Sequence, residues 1–244
     1  MDRRIMLGGG SGSLPASLSP LAWYYASAAY IATNGTTVSQ WRDRSGNGNH
    51  VSQATASSQP NWDLTTWGGG KPSLQFTGGN SLVATTGNIL SSVAGTDIPF
   101  ALFLTIRVVV GADCSFASWD NSSGNAVILA RMDNAGNVLR FTRTDDTGAS
   151  VTPLGVTAIT IGANLRAAYI FVGTTITTYV NSSLDMNGSA ANVGLITLNR
   201  FRIGDGPGAV NSLQGNVTEV VVLPRQASAA EWAAYYAYSL AEWG

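Results

Sequence analysis

The residues that could do chemistry in this chain are few. His50 is the only histidine and Cys114 the only cysteine, so neither a zinc cluster nor a histidine-centred triad can be assembled from the usual partners. Glycoside hydrolysis needs an acid and a second carboxylate at a fixed separation. The glutamates are Glu219, Glu231 and Glu242, and none lies within a few residues of another carboxylate on an expected strand. Glu219 alternates with Val217 and Val221 while Val220 and Val222 face the other way, the pattern of a structural strand position. Gly68-Gly69-Gly70-Lys71 lacks the Ser or Thr of a phosphate loop, because Pro72 follows the lysine. Cys114 cannot form an internal disulfide and reads as a small buried hydrophobe. Catalysis is therefore not expected.

What remains suits a neutral sugar. Carbohydrates are held by an aromatic face against the apolar side of the ring, with amide and carboxylate groups reaching the hydroxyls. The segment Ser118-Trp119-Asp120-Asn121-Ser122-Ser123-Gly124 has that composition, which makes Trp119, Asp120 and Asn121 the primary candidates. Asp205 and Asn211, at the ends of a Gly- and Pro-containing loop, are the secondary ones. Two plainer roles stay open: Trp119 folded back as a lid on the core, and Asp205 as a turn former.

Strands must position these loops. Runs rich in β-branched and aromatic residues occur at 73–76, 100–110, 126–132, 138–144, 165–172, 176–181, 200–203 and 216–223, separated by Gly and Asn clusters. Asp133-Asn134-Ala135-Gly136-Asn137 has hairpin length, so its flanking strands should pair antiparallel. Residues 229–243 contain no turn residue and read as a helix, with Ser228 and Glu231 spaced as a capping box. Trp232, Tyr235, Tyr236, Ser239 and Trp243 recur at helical spacing, as a face packed on the sheet.

The chain is an all-β sequence of two antiparallel sheets with a short C-terminal helix. Its 244 residues fit one large domain. Residues 1–13 end in a Gly/Ser tether, and residues 14–244 follow as a single sandwich. A net charge of -1 supplies no counterion-release affinity, so nucleic acid is not expected as a partner. No run approaches the roughly 18 apolar residues of a membrane-spanning helix, nor is there a signal-peptide apolar core near the N-terminus.

The order of the pieces resembles the laminin-G-like, concanavalin A-type jelly rolls of bacterial and phage surface proteins. Trp41-Arg42-Asp43-Arg44-Ser45-Gly46-Asn47-Gly48-Asn49-His50, after Leu21-Ala22-Trp23-Tyr24, is similar to the family's opening turn, with His50 in a structural place. Lys71-Pro72-Ser73-Leu74-Gln75-Phe76-Thr77-Gly78 resembles its "P-x-L-x-F-x-G" strand, and Thr178-Tyr179-Val180-Asn181 its hairpin, with Ser182 where glycine is usual. Phe201-Arg202-Ile203-Gly204 and Gly215 to Val220 resemble the closing strands before the helix. Gly79-Asn80-Ser81 stands where many relatives have acidic residues, which weakens the calcium site the resemblance would otherwise bring, and no cofactor is expected.

The resemblance implies a non-catalytic surface or virion structural module that binds cell-surface polysaccharide. Such a protein is made in the bacterial cytoplasm without a signal peptide and joins other particle subunits. Arg3-Arg4-Ile5-Met6-Leu7 offers apolar residues that the following glycines disconnect from the core. Ile5, Met6 and Leu7 are accordingly the expected assembly contacts, with a homo-oligomer in the particle. The alternatives are a decoration protein without a ligand and, third, a polysaccharide hydrolase or lyase.

Overall fold

The computed structural model describes residues 12–84, 99–121, 127–189, 196–207 and 211–244. Ile5, Met6 and Leu7 lie outside the described residues. Strand pairings throughout are antiparallel and build two layers. One layer runs, in hydrogen-bonded order, β1 (Ala22–Tyr25), β17 (Gln214–Leu223), β8 (Phe100–Val108), β13 (Asn164–Val172), β14 (Thr175–Val180) and β15 (Ser183–Ser189). β6 (Ser73–Thr77) continues beside β17, and β5 (Asn61–Asp63) beside β6. The other layer runs β2 (Ile31–Asn34), β3 (Thr37–Trp41), β4 (Val51–Ser52), β7 (Leu82–Ala84), β16 (Arg200–Ile203), β9 (Cys114–Asp120), β10 (Val127–Asp133), β11 (Val138–Thr144) and β12 (Ser150–Val151). Thr37 of β3 pairs with Asn61 of β5, which joins the layers at one rim.

Aromatic rings fill the space between the layers. Phe100 of β8 meets Trp119 of β9 and Phe141 of β11, and Tyr24 of β1 stacks on Phe201 of β16. Residues of the opposite parity on β8 face outward, onto the helix α1 (Ala229–Trp243). There Phe103 packs on Trp232 and Tyr235, and the Thr105 hydroxyl bonds those of Tyr235 and Ser239. β8 is thus buried on both faces, which explains its almost unbroken apolar run. The capping box forms as the spacing indicates: Ser228 accepts from the Glu231 amide, and Glu231 accepts from the Ser228 amide. Trp232, Tyr235, Ser239 and Trp243 are buried, as their spacing requires.

Two glycine-rich turns hold the ends of this arrangement. Asp43 accepts hydrogen bonds from the amides of Trp23, Ser45 and Asn49 at 2.8 to 3.0 Å, and His50 Nδ1 accepts from the Asp43 amide. Gly46 and Gly48 supply the left-handed conformations that let the loop wrap one carboxylate. His50 is therefore structural. Gly68, Gly69 and Gly70 are all left-handed as well, and they turn the chain so that Lys71 Nζ donates to the Glu242 carbonyl while Trp67 Nε1 donates to that of Trp243. The lysine places a cation at the negative end of the helix.

Gly12, inside the stretch read as a tether, is seated against α1: a side chain there would run into Tyr238 and Glu242.

Candidate functional site

The tryptophan and the two aspartates first singled out for sugar binding belong to the fold. Trp119 is a residue of β9, not of a loop, and is 0% exposed. Its indole lies 5.2 Å from the Phe100 ring and 4.9 Å from Phe201, so it has no face to offer a ligand. Asp120 is also 0% exposed. It accepts from Arg200 Nε at 2.6 Å and Arg202 Nε at 2.8 Å. Asn121 follows at the strand end, where its carbonyl accepts from Arg200.

Asp205 is buried too, accepting from the Gly206 amide and the Ser212 hydroxyl. Burial raises its pKa and those two hydrogen bonds oppose the rise. Asn211 adopts a left-handed turn conformation, and its carbonyl accepts from the Ser115 amide. The two segments do come together, since Ser118 Oγ donates to the Asp205 carbonyl at 2.8 Å. Trp119, Asp120 and Asp205 are thus spent within the fold, which corrects their assignment to a loop-borne site. Cys114 is buried, and burial pushes its thiol up to about 12.

A different place has the required chemistry. A groove of about 520 Å³ at the outer edge of the first layer is lined by Thr36, Asn61, Trp62, Asp63, Leu64, Thr65, Thr66 and Gln75. β5 and β6 position it. Asn61 stands opposite Gln75 in the register, so both amides share a face, and period-two alternation puts Asp63 on that face as well. The only contact between the two amides is a long one, Asn61 Nδ2 to Gln75 Oε1 at 3.5 Å. Both are left with donors and acceptors for a ligand.

Asp63 is held more firmly. Burial works to raise its pKa, but hydrogen bonds from Thr65 and Thr66 outweigh it and hold the carboxyl at about 2. Its second oxygen accepts from Asn216 Nδ2. The groove thus carries one fixed negative charge, two amides and three threonines. The sequence signal was Asn61-Trp62-Asp63-Leu64-Thr65-Thr66, a pattern of Asx-turn residues beside an aromatic.

A second recess, about 230 Å³, lies between the 157–165 segment and the β14–β15 turn, with Thr157, Thr160, Asn164, Asn181 and Ser183 among its lining. The Asn181 carbonyl accepts from Trp232 Nε1, and its side-chain oxygen accepts from the Arg166 amide, so this asparagine is engaged in the fold.

Glu219 forms the third polar centre. It is 0% exposed and accepts from the indoles of Trp23 (2.7 Å) and Trp243 (3.1 Å) and the hydroxyls of Tyr238 (2.9 Å) and Tyr235 (3.3 Å). Burial drives its pKa up to about 7 against those donors. The residue ties β1, β17 and α1 together and lines neither the groove nor the recess, in keeping with the structural role its strand position suggests.

Neither a protein-family model nor a curated protein sequence matches the chain. Solved structures do. The CBM40 of the Ruminococcus gnavus IT-sialidase, bound to α2,3-sialyllactose, aligns with a TM-score of 0.58 over 66% of this chain and 95% of its own, at 11% identity. The fold is a lectin-like β-sandwich. The ligand-binding domain of botulinum neurotoxin serotype D, in complex with N-acetylneuraminic acid, aligns at 0.65 over 91% of this chain and 52% of its own, at 10% identity. Trypanosoma rangeli sialidase in complex with sialic acid aligns at 0.63 over 95% of this chain and 34% of that enzyme, at 15% identity. Among the described residues no group of three or more His, Cys, Asp or Glu side chains is placed to hold a metal ion.

Proposed function

We propose that this protein is a non-catalytic carbohydrate-recognition module that binds glycan in the groove beside β5. The observation that carries this reading is the pair of amides, Asn61 and Gln75, displayed on one strand face beside Asp63 with little role in the fold. Rigid strands hold them at fixed spacing, which limits the ordering cost of binding. Support also comes from neighbours on the same fold whose structures contain sialyllactose and N-acetylneuraminic acid. A hydrolytic reading is disfavoured because Asp63 is the single carboxylate of the groove. Held at about 2, it is a poor proton donor at neutral pH. We further propose, from the resemblance to laminin-G-like domains of phage surface proteins, that the module is carried on a virion, with residues 1–13 joining it to neighbouring subunits.

A glycan array followed by calorimetric titration of the strongest binder tests the site. The double variant Asn61→Ala, Gln75→Ala should lose about tenfold or more in affinity, at about 1 kcal/mol per hydrogen bond, with an unchanged melting temperature. Full affinity in that variant would refute the site. An array without hits would refute the function.

A further inference from the structure

Three aromatic rings hold a single guanidinium at the opening turn. Arg44 Cζ lies 4.0 Å from the Trp23 ring centroid, 4.7 Å from Tyr25 and 5.3 Å from Tyr30. Two of the rings are fixed by their polar ends, because Trp23 Nε1 donates to Glu219 and the Tyr25 hydroxyl donates to Glu242. Both neighbouring carboxylates therefore take ring donors in place of Arg44. The backbone beneath is equally fixed: the Arg44 amide donates to the Trp23 carbonyl at 2.7 Å, and Asp43 organises the turn around it.

Arg44 is half-buried, and among the described residues no carboxylate or carbonyl pairs with its guanidinium. The Trp23 and Tyr25 rings stand at 78° to each other, so the guanidinium meets ring surface on more than one side, and the N–H donors turned away from the rings form a planar fork that matches a carboxylate. Here the stacking surface and the rigid turn are present and the anion is left to come from outside. Arg44 is not part of the lining of the β5 groove, so this is a separate place on the molecule.

We propose that Arg44, on its Trp23, Tyr25 and Tyr30 platform, anchors the carboxylate of an acidic sugar at a second subsite. This rests on the glycan reading for the sugar part of the ligand. Glucuronic acid and glucose, as their methyl glycosides, differ at the carboxylate alone and make the test pair. Side-chain NMR of the full chain should show the Arg44 Nε–H resonance moving on addition of the glucuronide and staying in place with the glucoside. Arg44→Met, which keeps the packing length, should weaken glucuronide binding at least tenfold with the melting temperature preserved; Arg44→Lys should recover only part of it. Raising the salt from 50 to 500 mM should weaken the same binding.

If glycans bind at Asn61 and Gln75 but the glucuronide has no advantage over the glucoside, or keeps it in Arg44→Met, the Arg44 subsite is overturned and the groove stands. If no saccharide binds anywhere, the glycan reading fails and the subsite falls with it.

Discussion

At the scale of single residues, burial decides which polar groups serve a ligand and which serve the fold. Glu219 receives four hydrogen bonds, each favouring its charged form, yet its removal from water outweighs them and leaves its pKa at about 7. The unfolded chain loses this proton near the ordinary value of 4.5. The contribution is therefore fully present below about 4.5 and is lost as pH rises toward 7, because the unfolded state ionises first. Over that window stability should fall by up to about 1.4 kcal/mol per pH unit from this group alone. Urea unfolding between pH 4.5 and 7 should show that slope in the natural protein and a flatter one in Glu219→Gln. Equal slopes would mean that Glu219 ionises normally.

Trp119 illustrates the opposite lesson. Its side chain has the chemistry of a sugar platform, but it sits between Phe100 and Phe201. Trp119→Ala should cost about 3 to 5 kcal/mol of folding stability, read as a large fall in the urea midpoint. A variant that keeps its midpoint would put the indole back at the surface.

At the scale of elements, legibility followed composition. β8, β11, β13, β16 and β17 could be read from their β-branched and aromatic runs, and the helix from its cap and stripe. β9 could not. Its sequence, Cys-Ser-Phe-Ala-Ser-Trp-Asp, mixes small polar and apolar residues and runs into Asn, Ser and Gly. It resembles a loop until β10 and β16 are known to pair with both of its edges. β5, three residues long, was too short for any periodicity to register, and so the groove beside it stayed hidden.

The helix cap permits a sharper test of an element. Arg225 pairs with Glu231 and holds its carboxyl at about 2, while Ser228 closes the box. Ser228→Ala should destabilise the protein by about 1 kcal/mol, visible as a lower melting temperature. No change would mean that packing of Trp232 and Tyr235 alone fixes the helix.

At the scale of the whole molecule, two layers and one outer helix decide which sheet surface is open. The first layer has its interior face on the aromatic core and much of its outer face under α1. The groove lies where that cover ends, at the edge formed by β5 and β6, close to the rim where the two layers join through Thr37 and Asn61. The fold class was legible in the sequence because alternation and turn chemistry are local. The site was not, because it depends on which strand edge the helix leaves open.

The most direct test is a side-chain amide NMR titration of the full chain, with lactose as the neutral sugar and sialyllactose as its acidic counterpart. The Asn61 and Gln75 amide resonances should move together and saturably with at least one of them, while the indole of Trp119 stays unperturbed. Saturable shifts at other amides with Asn61 and Gln75 silent, or no shift with either sugar, would contradict the account.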